Sequence, residues 1–298
     1  MNLRQGVALI FLAAVWGASF LFIRVAAPVL GPFPLMAGRV VIASGALWLY
    51  GAMGRTPIAL RPYWRRLLVL GLVHAAAPFA LIATAEVHLS ASMAAVLIAT
   101  QPLCVALING IWLNERMSLR QAAGLLLGLG GVGILLGWSP DALNRTGLWG
   151  VAACLMGAVC YAAGSLYAKR RLADAPVLTI ALGQQLGAAV WLLVPAALTL
   201  PRAAPSLDAI AALLSLALLC TAVAYLVFFR LLGEIGVVRT SVVTYVIPIF
   251  GVAWGVIFLG ERPTTGIIAG LACILGSLVL VNQKLVPSES MVRPSRAV

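Results

Sequence analysis

Charge is the scarcest property of this chain. Charged residues account for 9% of the 298, and 8 are acidic against 20 basic. A soluble domain carries about 25% charged residues, whereas this chain is 63% hydrophobic and could not bury so much apolar surface in water. No acid falls in the middle of an apolar run, which excludes paired midplane carboxylates for acid–base chemistry. HExxH and GxSxG are missing too, so an intramembrane enzyme has no constellation to work with. Cys104, Cys154, Cys160, Cys220 and Cys273 are scattered through apolar segments without a CxxC spacing. That excludes a disulfide framework or a thiolate metal site and leaves small packing residues. No cofactor is expected. Long polar links are also lacking, so no soluble domain fits between the apolar runs.

Those runs are what the chain has in abundance. Ten spans are read at 5–28, 34–53, 66–86, 91–113, 119–138, 147–168, 176–199, 207–231, 237–259 and 265–283. Each is near the roughly 20 residues that cross about 30 Å of hydrocarbon as a helix. Strands are excluded, because the runs are apolar on every face and an open sheet edge has no partners in lipid. The first run, Gly6 to Ile23, is too long for a signal core and lacks a convincing cleavage site, so it is expected to be retained.

The pattern occurs twice. Pro102 is followed 146 residues later by Pro248, and Glu115-Arg116 by Glu261-Arg262. The same offset carries Ala123-Gly124 onto Ala269-Gly270, Gly130 onto Gly276, Ser19 onto Ser165 and Arg24 onto Arg170. Two homologous halves follow, 5–138 and 147–284. With the N terminus inside, fifteen Lys and Arg lie on the cytoplasmic side. Four lie outside (Arg24, Arg145, Arg202, Arg262), and Arg39 is left within span two. Positive charge of this kind makes both termini cytoplasmic, the tail 285–298 included. Five spans per half then force the second half to enter the membrane inverted. The reading is an all-α membrane protein of ten transmembrane helices in two inverted five-helix repeats, an arrangement suited to alternating access.

Family resemblance enters with particular residues. Trp16-Gly-Ala-Ser-Phe, Pro34 with Arg39, and Ser90-Ala-Ser-Met-Ala-Ala-Val-Leu leading to Pro102 and Asn114-Glu115-Arg116 form the first set. Tyr225-Leu-Val-Phe-Phe-Arg230, Thr240-Ser-Val-Val-Thr-Tyr-Val-Ile-Pro248 and Leu259-Gly-Glu261-Arg262 form the second. The chain resembles the ten-helix EamA-type members of the drug/metabolite transporter superfamily throughout, except for the tail after Lys284. The resemblance implies one transporter domain over 1–284 in a bacterial inner membrane. It also implies a carrier of amino acids, other metabolites or drugs. The related four-helix multidrug exporters carry a glutamate in the middle of their first helix, where this chain has Trp16 nearby and no acid.

Polar and aromatic side chains gather at similar depth in repeat-related spans. They are Trp16, Ser19, His74, Phe79, Thr100, Gln101, Tyr161, Ser165, Thr221, Tyr225, Thr244 and Tyr245. Polar groups at the midplane need partners, so a wet, aromatic-lined cavity is expected to bind substrate there. Helix–helix hydrogen bonding is the alternative for some of the Ser and Thr. Pro102 and Pro248 each free a backbone carbonyl and are read as hinges. Arg39 must snorkel or find an acid, and Glu261 is available, so the pair is read as structural or gating rather than anion-binding. Gly128-x-Gly130-x-x-Gly133 matches a dinucleotide fingerprint but lies within one apolar span, without the required strand. Gly124-x-x-x-Gly128 and Gly266-x-x-x-Gly270 instead mark spans five and ten as close-packing helices.

The expected partners are a small-molecule substrate and the bilayer, with no nucleic acid, and the chain is expected to act as a monomer. A neutral aromatic cavity disfavours sugar nucleotides and phosphate esters, which want clustered Lys or Arg. The expected substrates are amino acids, aromatic or large neutral ones, carried as an exporter; organic-cation drug export is the alternative. Without a midplane acid, uncoupled diffusion or exchange is expected, and His74 is the one candidate for proton coupling.

Overall fold

The computed structural model describes residues 2–54, 56–112, 118–138, 144–201 and 203–282, and among these ten crossings are built from thirteen α-helices and two π-helical stretches. The tail beyond Asn282, and Glu115 with Arg116, lie outside the described residues. Helix α1 (Leu3–Leu30) opens with a capping box between Asn2 and Gln5. Gly31, at φ 82°, makes the turn from which Pro32 starts α2 (Pro32–Met53); a positive φ costs glycine nothing. The end of the molecule that carries Asn2 is called proximal below, and the end at Gly31 distal.

Span three consists of α3 (Leu60–Gly71) and α4 (Ala77–Glu86), joined by a π-helical turn at Leu72–Ala76. The widened turn sits just before Pro78, which offers no N–H to the His74 carbonyl. Span four divides into α5 (Ala91–Ile98) and α6 (Gln101–Trp112), with a turn at Ala99 and Thr100. Then come α7 (Leu119–Gly137), α8 (Arg145–Arg171) and α9 (Val177–Leu198). Span eight repeats the irregularity of span three, as α10 (Leu207–Leu214), a π-helical stretch Ser215–Val223, and α11 (Ala224–Thr240). Gly236, at φ 76°, interrupts α11 at the proximal end. Helices α12 (Val243–Leu259) and α13 (Thr265–Asn282) complete the chain.

The two prolines are not matched in shape. Pro102 lies in the first turn of α6, directly after a break, whereas Pro248 lies within the continuous helix α12. In the second half the break comes earlier, at Ser241 and Val242.

Packing follows the repeat. Helix α1 lies on α12 and α8 on α5; α3 lies on α9, and the Ser215–Val223 stretch on α2; α7 lies on α13. Exchanging the two halves interconverts the first two contacts and the next two, and maps the last onto itself. Small residues allow the crossings. A Cβ added at Gly17 would come within 2.7 Å of Phe250 Cβ, and one at Gly251 within 2.4 Å of Ala95 Cβ. Spans one, nine and four therefore meet almost backbone to backbone. The same holds for spans five and ten, where Gly124, Gly128 and Gly131 face Val281, Ser277 and Cys273. Eight helices among the described residues are long and apolar enough to cross a membrane, and two shorter apolar ones, Val243–Leu259 and Thr265–Val281, make ten. Their outer faces carry exposed Leu, Ile and Val, and Trp48, Trp64, Trp138 and Trp149 are exposed near span ends. This is an all-α integral membrane protein of two inverted five-helix repeats.

Candidate functional site

A cavity of about 330 Å³ lies where the two halves meet. Ten residues expected on functional grounds form part of its wall: Trp16, Ser19, Arg39, His74, Phe79, Gln101, Tyr161, Ser165, Tyr225 and Thr244. Its wall obeys the repeat offset: Ser19 and Ser165, His74 and Cys220, Phe79 and Tyr225, Ile98 and Thr244, Gln101 and Ile247 are related positions, and all line it. The paired π-helical turns carry His74 and Cys220, so the local irregularity is what presents them.

Three residues expected to bind substrate lie off the wall. Thr100 is buried, and its hydroxyl donates to the Leu97 carbonyl at 2.6 Å, which makes it part of the span-four break. Tyr245 turns away, donating to the Leu278 carbonyl at 3.2 Å among Leu103, Leu278 and Val281. Thr221 is buried behind Arg39, donating to the Leu216 carbonyl at 2.8 Å and accepting from Arg39 Nε at 2.9 Å. The wall also uses Phe20, Phe228, Ser241 and Thr240, which lie in the family motifs but were not expected to bind substrate.

One polar network fixes the aromatic groups. His74 Nδ1 lies 3.0 Å from Gln184 Oε1, and the Gln184 amide donates to the Tyr225 hydroxyl at 2.8 Å. His74 Nε2 lies 3.2 Å from Ser165 Oγ, itself 2.8 Å from the Tyr161 carbonyl. With a neutral imidazole carrying its hydrogen on Nδ1, that nitrogen donates to Gln184 Oε1, and the one Ser165 hydroxyl hydrogen serves either the Tyr161 carbonyl or His74 Nε2. The His74 ring also meets Tyr161 edge-on at 5.4 Å, and Trp16 packs on Tyr225 and Phe228 at 6.3 and 5.4 Å. Gln184 was missed because a glutamine in an apolar span gives no sign of which neighbour it faces.

The expected Arg39–Glu261 pair is not formed. Arg39 does not snorkel and forms no ion pair among the described residues; its guanidinium lies 3.9 Å from the centre of the Phe79 ring, among the cavity aromatics. Its two terminal nitrogens have no hydrogen-bond partner among the described residues. The cavity is therefore not neutral, as composition suggested, but holds one fixed positive charge. Glu261 is engaged elsewhere. Its carboxylate accepts from Ala91 N at 2.7 Å, Ser92 N at 3.0 Å and Ser92 Oγ at 2.5 Å, capping the start of α5 at the distal end. Beside it, Arg24 donates to the main-chain carbonyls of Glu86 and Val87. These contacts close the distal end, while the cavity wall runs on to Leu232 and Thr240 toward the proximal end.

The EamA-like transporter family profile matches this chain twice, over residues 4–137 and 148–283. The chain belongs to the EamA-like transporter family. Membership makes it a membrane carrier with a small-molecule substrate. Among similar proteins, an uncharacterized transporter, YvbV, of Bacillus subtilis is 28% identical over 94% of this chain and 92% of its own. A probable terminal-alkyne amino-acid exporter of Streptantibioticus cattleyicolor is 28% identical over 95% of each chain. A probable amino-acid metabolite efflux pump of Escherichia coli is 24% identical over 94% of this EamA chain and 95% of its own. A crystal structure 20% identical in sequence superposes with a TM-score of 0.67 over 95% of this chain and 98% of the other, which shows the shared fold.

Proposed function

We propose that this protein exports small organic carboxylates, foremost amino acids with large neutral or aromatic side chains, by alternating access around the central cavity. Residues 1–284 act as one transport domain, as a monomer in a bacterial inner membrane. The proximal end, with the greater share of basic residues, faces the cytoplasm. The observation that carries the reading is Arg39: among the described residues it is the one charged group on an aromatic wall, with its terminal nitrogens unengaged. A guanidinium recognises a carboxylate by paired, charge-assisted bonds, and Trp16, Phe79, Tyr161 and Tyr225 offer an apolar body its contacts. The cavity volume suits one small solute. Relatives named as amino-acid exporters support both the class and the direction.

A second reading keeps the aromatic rings and discounts the arginine. Such faces attract organic cations, as drug export would require, but a fixed positive charge among them opposes this. Sugar nucleotides and phosphate esters fit less well, since one guanidinium is poor neutralisation for several phosphate charges.

The test is competition against labelled phenylalanine uptake in liposomes holding the full chain. Large neutral amino acids should compete. Phenylalaninamide and phenethylamine, which lack the carboxylate, should compete about 10- to 150-fold less well, the worth of a charged hydrogen bond of about 1.5–3 kcal/mol. Arg39→Gln should erase that difference. Organic cations competing better than amino acids would establish the second reading instead.

A further inference from the structure

Glu86 is an acid that the transport reading does not use. It is the last residue of α4, one turn beyond the cavity-lining Ile82, and it is completely buried. Among the described residues, neither carboxyl oxygen has a hydrogen-bond partner. The nearest cation is otherwise engaged: Arg24 donates to the main-chain carbonyls of Glu86 and Val87, not to the carboxyl group. The charged and titratable groups facing Glu86 from its packing partners are Arg24 on α1, Arg39 on α2, Cys154 on α8 and Glu261 after α12. Glu261 is committed to α5 and adds a like charge within reach. His88, two residues on, is exposed.

We propose that Glu86 is a proton-binding site that links closure of the distal end to the pH on that side. An ionised carboxylate whose oxygens accept no hydrogen bond is the form a buried site accommodates least. The closed distal end therefore holds Glu86 as the carboxylic acid. When Glu261 separates from Ala91 and Ser92, distal water reaches the carboxyl group. The O–H bond then breaks, the proton passes to water, and the carboxylate becomes free to pair with Arg24. Re-closure takes the proton back. Acid on the distal side favours the closed state, and a rise in pH favours opening. The limiting slope for one proton is about tenfold in the open-to-closed ratio per pH unit.

The test needs no transported solute. In full-length protein with its five native cysteines replaced by alanine, Ile23→Cys places a reporter on the buried distal part of the cavity wall. A membrane-impermeant maleimide is added to the distal side of liposomes between pH 5.5 and 8.5. The thiol's own ionisation also speeds labelling with pH, so each rate is divided by that of E86Q carrying the same reporter. The expected ratio rises toward tenfold per pH unit until the open state predominates. Glu86→Asp keeps a titratable carboxyl group and should retain the rise, and His88→Gln should leave it unchanged. A ratio constant across the range, loss of the rise on His88→Gln, or no labelling at any pH would each overturn the proposal.

Discussion

Replacing Glu261 by glutamine perturbs the distal closure with little change of shape. Its carboxylate accepts three hydrogen bonds, from Ala91 N, Ser92 N and Ser92 Oγ, at the N-terminal end of α5. A hydrogen bond to a charged acceptor is worth about 1.5–3 kcal/mol and a neutral one about 0.5–1.5. A negative charge at a helix N terminus adds about 0.3–1 kcal/mol. The amide retains one carbonyl acceptor but turns a second donor toward the N–H groups. The distal-closed state should lose about 2–4 kcal/mol relative to the open one, a population shift of roughly 30- to 700-fold. The assay is maleimide labelling from the distal side of a cysteine at Ile23, in protein otherwise free of cysteine. Glu261→Gln should accelerate labelling by at least about 30-fold while the closed state predominates. Gly255→Ala is an independent way to the same end, because its Cβ would come within 2.4 Å of Glu261 Oε2 and 2.6 Å of Ser92 Oγ. Unchanged labelling in both variants, with the protein folded, would refute the assignment of this contact as the distal latch.

Gly187→Ala should destabilise the fold by about 1–3 kcal/mol, since its Cβ would come within 2.6 Å of the Leu67 carbonyl oxygen, a backbone atom that side-chain rotation cannot move. A lower Tm in detergent checks this. His74→Gln, which disturbs the ring contacts and hydrogen bonds to Gln184 and Ser165, should weaken solute binding. It should leave the distal pH response of the Ile23→Cys reporter intact. Gly164→Ala, whose Cβ would come within 2.5 Å of His74 Cβ, should reproduce that loss of affinity without removing the imidazole. Arg61→Cys, at the exposed proximal start of α3, should label only from the cytoplasm in intact cells.

Much of the architecture was legible from composition and spacing alone. An apolar run near the bilayer thickness has one stable solution in lipid, a helix, so the spans and their number follow from hydrophobicity. A constant 146-residue offset relates the two halves, and five spans apiece invert the second. The cavity was legible in part for the same reason: buried polar groups in repeat-related spans must face one another. What the chain could not announce is how each helix is rotated. Spans apolar on every face carry no stripe to mark the inward side, so Tyr245 and Thr100 looked equivalent to Tyr225 and Gln101 until packing turned the first two away. The Arg39–Glu261 expectation failed because an acid has more than one kind of partner. The free N–H groups at the start of α5 hold Glu261, while Arg39 turns into the cavity. Glu86 is the sharpest case. By position it ends a span, where an acid would be solvated, but it is buried beside Cys154 of α8 and Glu261. Whether a group at a helix end meets water is decided by what packs above it, and that is a property of tertiary structure alone.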